Sequence, residues 1–157
     1  MLDNIRSMHN VGSIFRTADA VGCGKIFLCG ITPAPVNKFG RPNTALLKVA
    51  LGAEKFVEWE RADSAVDVLA RLKKEGFMIF AVEQGAGAQS VFDIPRLIGR
   101  APRAEKYALV VGNEISGLAS DVLERADSLI EIPMFGKKES LNVAVAFGIV
   151  AYFLRQH

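Results

Sequence analysis

At 157 residues, half of them hydrophobic, the chain suits a single domain with a substantial core. Nineteen Lys and Arg against 17 Asp and Glu leave a formal charge of +2, which does not by itself imply a polyanionic partner. Two cysteines without C-x-x-C spacing and two histidines far apart exclude a disulfide scaffold and offer no metal site.

Asp3, Asn4 and Arg6 interrupt the opening residues, so the start does not read as a secretory signal. Val11, Ile14, Phe15, Ala18 and Val21 recur at helical spacing, with Asn10 as the expected N-cap and Gly22 or Gly24 as the stop. Lys25–Cys29 reads as a short buried strand. Three prolines and two glycines make residues 30–42 a loop. A short helix over Thr44–Ala50 and a strand over Phe56–Glu60 follow. Ala65, Val68, Leu69 and Leu72 form a second helical stripe closed by Gly76. Phe77–Val82 is the clearest strand, and a Gly-rich loop comes after it. The pattern over Arg96–Ala104 assigns no element. Tyr107–Val111 and Ser128–Ile132 read as strands, Asp121–Ala126 as a short helix, and Ser140–Arg155 as the last helix, capped by Ser140.

Strands alternate with helices, and several strands are apolar from end to end. The expected fold is α/β: a mostly parallel sheet covered by helices on both faces, in one domain over residues 1–157. The longest apolar run, Val143–Leu154, falls short of the roughly 20 residues that span a membrane, so no membrane association is expected. A reduced, cytoplasmic chain is the simplest reading of the cysteines. The last helix is apolar all round beyond Asn142, which calls for cover on every side and points to a homodimer formed through it.

Charge is unevenly spread. Residues 1–55 hold seven basic and three acidic residues, and 94–106 hold Arg96, Arg100, Arg103 and Lys106 against Glu105. Residues 56–93 reverse the sign, with four basic and seven acidic. Two basic blocks around an acidic one suit a one-sided field, although each block alone reads first as a solvated surface.

Four motifs bear on chemistry. Gly85 and Gly87 follow the strand Phe77–Val82, but Ser90 stands where a dinucleotide fingerprint needs glycine. Gly112–Gly117 follows Tyr107–Val111 and resembles half a phosphate loop, but Leu118 replaces the lysine, which removes nucleotide hydrolysis. Two glycines flanking Glu114 suit a tight turn at the carboxyl end of a parallel strand, where open α/β sheets bind ligands, and equally a plain chain reversal. Arg16 falls off the apolar stripe of its helix and faces solvent, a partner or a site. Ser140 and Asn142 open the last helix after Gly136, Lys137 and Lys138, and a helix start offers free N–H groups and positive potential.

Taken together, three segments resemble the SpoU-type RNA 2′-O-ribose methyltransferases of the SPOUT superfamily. They are Asn4 to Gly22 with Arg6, Asn10, Gly12, Arg16 and Asp19; Val111 to Leu118; and Ile132–Met134 followed by Ser140–Val145. The resemblance spans almost the whole chain and implies a C-terminal trefoil knot, which general topology rules would have rejected. It implies S-adenosylmethionine as cofactor, with S-adenosylhomocysteine as product, no metal, and a dimeric enzyme. Arg16, Asn10, Glu114, Ser140 and Asn142 would be the catalytic polar residues. Val82, Glu83, Gln84, Gly112, Asn113, Gly117, Ile132, Met134, Ser140 and Leu141 would line the cofactor pocket, largely through backbone and apolar groups. The substrate would be RNA, transfer RNA ahead of ribosomal RNA. The separate N-terminal RNA-binding domain of larger members is not expected here, which leaves the basic blocks to grip RNA. The alternative reading is a non-catalytic RNA- or nucleotide-binding α/β module.

Overall fold

The computed structural model describes residues 1–100 and 106–156; Arg103 and Glu105 of the second charged block and the terminal His157 lie outside them. The strands are β1 (Leu2–Asp3), β2 (Lys25–Cys29), β3 (Glu58–Ala62), β4 (Phe77–Val82), β5 (Gln89–Ser90), β6 (Lys106–Val111) and β7 (Ser128–Glu131). The helices are α1 (Met8–Ala20), α2 (Thr44–Ala50), α3 (Ala65–Lys74), α4 (Ile94–Arg100), α5 (Ser120–Leu123) and α6 (Val143–Arg155). The strands form one sheet in the order β3-β2-β1-β6-β4-β7-β5, and every pairing is parallel.

Alternation along the central strands divides the core in two. Ile79 and Ala81 of β4, with Ala108 and Val110 of β6, pack under α3 and α5 against Leu69, Leu72 and Val122. Phe80 of β4 and Val111 of β6 point the other way, towards α1, α2, α4 and α6. There Phe15, Ile14 and Leu46 fill one end, and Ile94, Ile130 and Val150 the other. Side chains of period two on strands buried on both faces explain why these segments read as unbroken apolar runs.

Several boundaries differ from expectation. Helix α1 is capped by Ser7, whose hydroxyl accepts the Asn10 N–H at 3.2 Å, so Asn10 sits inside the first turn. Serine is as good an N-cap as asparagine, and Asn10 is engaged elsewhere. Helix α6 starts at Val143 and is capped by Asn142, whose Oδ1 accepts the Ala144 N–H at 2.9 Å; Ser140 does not cap it. Strand β3 runs two residues later than predicted. Its register is set against β2, where Lys25 pairs with Glu58 and Glu60 at 2.8 and 2.9 Å, and Phe56 is left exposed. These charges also mark β3 as an edge strand. Helix α4 was missed because Pro95 reads as a breaker, yet proline is tolerated in a first turn. Strands β1 and β5 are two residues each, too short to show a period.

Among the described residues no helix is long and apolar enough to cross a membrane, and no cluster of three His, Cys, Asp or Glu is placed to hold a metal ion. Cys29 is fully buried at the end of β2, and burial pushes its thiol up to about 11. At neutral pH it is therefore a protonated, inaccessible thiol. Iodoacetamide should modify Cys29 only after unfolding, as peptide mass spectrometry with and without denaturant will show.

Candidate active site

Because all strands are parallel, the loops that leave their carboxyl ends gather on one edge of the sheet. The loop after β4, the turn after β6 and the segment after β7 enclose a cavity of about 490 Å³, closed on one side by the start of α6. The size falls within the roughly 300–1,000 Å³ of small-molecule sites. Val82, Glu83, Gln84, Gly112, Asn113, Gly117, Ile132, Met134, Ser140 and Leu141 all line it. So do Glu114 and Asn142, together with Ile115, Glu131, Val143 and Ala146, which sequence reasoning did not single out.

The turn after β6 is built to be rigid. Asn113 and Gly117 exchange backbone hydrogen bonds at 3.1 and 3.0 Å. The Asn113 Oδ1 accepts the N–H groups of Ile115 and Ser116 at 2.9 and 3.1 Å, and its amide donates to the Asn4 carbonyl at 2.8 Å. Glu83 ties the β4 loop to this turn by accepting the Leu118 N–H at 3.1 Å. Gly117 has φ +68 and lies against the Glu83 carboxylate, so a side chain there would meet both backbone strain and that carboxylate. A methyl group on Gly112 would fall 2.7 Å from the Gly117 carbonyl carbon and oxygen. A Gly112→Ala variant must push the turn into the cavity. It should lose roughly 1–3 kcal/mol of folding stability, the typical cost of overpacking, as urea denaturation will show, while the far-ultraviolet circular dichroism stays unchanged.

Glu114 sits at the tip of the same turn and reaches the start of α1. Its Oε2 accepts the Arg6 N–H at 2.9 Å, and its Oε1 accepts the Ser7 N–H at 3.1 Å and the Asn10 amide at 2.9 Å. Burial pushes its carboxyl upward, but the N–H of Arg6, the Asn10 amide and the N–H of Ser7 outweigh it and hold the group below the usual range. Asn10 then accepts the Asn142 amide at 3.0 Å through its own Oδ1. A continuous chain, Glu114 to Asn10 to Asn142 to the Ala144 N–H, thus joins the three segments that carry the sequence motifs. A carboxylate at a helix start, bonded to free N–H groups, is charge-assisted and favoured by the helix dipole.

Arg16 is not part of this assembly. It is exposed on α1, does not line the cavity, and makes no ion pair among the described residues. Ser140 lines the cavity without capping a helix. A second, more open groove lies between α1 and α6 and has an apolar floor; Ser13, Thr17, Val145, Gly148 and Tyr152 line it. Val145 and Tyr152 there are half exposed. A methyl group on Gly148 would meet Thr17 at 3.5 Å, an ordinary van der Waals contact.

The family described as the SpoU rRNA Methylase family matches residues 1–152. A tRNA (guanosine(18)-2′-O)-methyltransferase of Aquifex aeolicus is 32% identical over 150 residues, which cover 96% of this chain and 64% of the relative. A 23S rRNA (guanosine(2553)-2′-O)-methyltransferase of Bacillus subtilis is 34% identical, covering 99% of this chain and 56% of that protein. An AdoMet-bound rRNA methyltransferase structure from Sinorhizobium meliloti superposes with a TM-score of 0.82 at 30% identity, over 99% of this chain and 54% of the other. The chain thus spans roughly a third to two thirds of the length of the curated relatives it matches.

Proposed function

The chain belongs to the SpoU rRNA methylase family, and from that membership we propose that it transfers a methyl group from S-adenosylmethionine to a ribose 2′-hydroxyl of RNA, with S-adenosylhomocysteine as product. The observation that carries the reading is the hydrogen-bond chain Glu114–Asn10–Asn142 at the mouth of a cavity of the right size. The cavity suits the cofactor. Two glycines let backbone approach closely, Ile132 and Met134 supply apolar wall, and the Glu83, Glu114 and Glu131 carboxylates favour a cationic ligand. When bound, S-adenosylmethionine supplies an electrophilic methyl group on a sulfonium, so the protein's task is to place and activate the hydroxyl.

Glu114 and Asn10 fix the start of α1 against the turn, and Asn142 fixes the start of α6 against both. Ser140 and Leu141 wall the cavity beside them. A frame fixed in this way would let the protein orient a substrate hydroxyl towards the methyl group, and good orientation can contribute roughly 7–11 kcal/mol to a transfer reaction. Arg16 would pair with an RNA phosphate and stabilise the forming alkoxide, while that phosphate relays the hydroxyl proton to solvent. A guanidinium is always protonated and acts better in that role than as a base.

Arg16 does not reach the cavity of its own subunit. We infer a homodimer through the groove between α1 and α6, in which Arg16 of one subunit serves the cavity of the other. The half-exposed apolar residues of that groove and the apolar composition of α6 support it. We also propose the C-terminal trefoil knot; its support is family membership, and the strand order sets β7 beyond β4 while α6 returns to pack over β6. Residues 1–157 then form one catalytic unit acting in the cytoplasm. Enzymes of both transfer RNA and ribosomal RNA are among the relatives, and we propose transfer RNA as the first substrate to test.

The test is label transfer from methyl-labelled S-adenosylmethionine to total RNA, followed by alkaline hydrolysis. A 2′-O-methyl group blocks cleavage of the adjoining phosphodiester, so label should survive in alkali-resistant dinucleotides. Label in mononucleotides would place the methyl group on a base. Binding of RNA without any transfer would favour a non-catalytic module.

A further inference from the structure

We propose that the hairpin at residues 36–42 is a stacking platform for an unpaired nucleotide beside the target ribose, so that the enzyme selects single-stranded or looped RNA over duplex. The proposal rests on the RNA reading above and narrows it to a class of substrate. The hairpin follows β2, and because β2 is parallel to β6 and β4 it leaves the same edge of the sheet as the loops around the cavity. Strand β2 lies two positions from β6, a lateral offset of roughly 10 Å at ordinary strand spacing.

The tip is held from within. The Asn37 Oδ1 accepts the N–H groups of Phe39 and Arg41 at 2.9 and 3.0 Å. Backbone hydrogen bonds join Asn37 to Arg41 at 2.8 Å and Gly40 to Asn37 at 3.0 Å. Gly40, at φ +75, makes the turn possible. Phe39 projects from it with 75% of its surface exposed, and the Lys38 Nζ lies 5.1 Å from the ring centroid. Residues 30–53 contain Lys38, Arg41 and Lys48 and no acidic residue. An apolar ring presented on a rigid, wholly basic loop fits one occupant best. A nucleobase takes the ring face, and its phosphates take the cations. A duplex hides its base faces by stacking, whereas a loop nucleotide offers them. A second copy of the chain is a poorer match, since a two-fold contact through this loop would set the same cations against each other.

The experiment uses a short single-stranded RNA carrying 2-aminopurine, whose fluorescence is quenched by stacking. The wild type should bind and quench it, and should bind the matching duplex more weakly. Phe39→Ala should bind about 5- to 100-fold more weakly with the quench lost, the usual effect of removing one stacking side chain. Phe39→Tyr should keep both. Lys38→Gln should lower the slope of log affinity against log salt by about 0.7, the value for one phosphate contact on a single strand. Binding of S-adenosylhomocysteine should be the same in all of them. Equal RNA affinity in Phe39→Ala, or preference of the wild type for duplex, would overturn the platform and leave the methylation reading standing. A fall in sedimentation mass on Phe39→Ala would make the loop a subunit contact and overturn it too. A wild type that binds S-adenosylhomocysteine but neither binds nor methylates any RNA would bring down the RNA reading, and this inference with it.

Discussion

An Arg16→Ala variant should lose methyl transfer by at least about 100-fold, the scale of losing one strong electrostatic contact to a developing oxyanion, while binding S-adenosylhomocysteine as tightly as the wild type. The split follows from where the residue stands. Arg16 is off the buried stripe of α1, outside the cofactor cavity and outside the Glu114–Asn10–Asn142 chain. Truncating it therefore removes no cavity wall and no core contact, and the melting temperature should not move. Arg16→Lys should recover little, because an ammonium cannot make the paired contacts of a guanidinium with phosphate. If Arg16 serves the partner's cavity, mixing inactive Arg16→Ala with a variant whose cavity is filled, Gly112→Val, should restore part of the activity. Each mixed dimer then holds one intact composite site. No recovery would place Arg16 on its own subunit's cavity and contradict the dimer arrangement.

The Glu114→Ala variant should lose both activity and stability. Its carboxylate satisfies three donors at the start of α1, and hydrogen bonds to a charged group contribute roughly 1.5–3 kcal/mol each when well formed. The site is open to water, so a total near 2 kcal/mol is the reasonable expectation. Activity should fall about 100-fold, because loosening α1 against the turn misplaces the reacting groups by a fraction of an ångström. The pH dependence has a definite sign. The folded carboxyl titrates below its ordinary value of 4.5, so the stability that its charge contributes is complete above that value and is lost as pH falls through the lower, folded one. The difference in melting temperature between wild type and Glu114→Gln should accordingly be full at neutral pH and close on acidification below 4.5. A gap that widens with acid would contradict the assigned hydrogen bonds.

Much of this architecture is readable in the sequence, and the failures are instructive. Phe77–Val82 and Lys25–Cys29 were placed to the residue because each is a continuous apolar run bounded by glycine or charge. Strand β1 was not, since Leu2 and Asp3 owe their extended form to β2 and β6 on either side rather than to any local pattern. The capping errors at Asn10 and Ser140 share one cause. Each lies three residues or fewer from a second good cap, and local preference cannot choose between them. Tertiary demand chose: Asn10 is needed by Glu114 and Asn142, and Asn142 by α6. The motif residues could be named from the order of the three segments, but not their connections. That Glu114 reaches back over a hundred positions to Arg6 and Ser7 is a property of the β1–β6 pairing, which no local pattern contains. Likewise the resemblance could name Glu83 as a pocket residue, but not its clamp on the turn at Leu118.

The claim that a ribose oxygen is the nucleophile has its most direct test at the substrate. Once the modified nucleotide has been mapped in RNA treated with the protein, that single ribose can be replaced by deoxyribose and methyl transfer measured at saturating S-adenosylmethionine. Transfer should disappear, while the substituted RNA still competes for binding. Continued methylation at that nucleotide would mean that another atom accepts the methyl group.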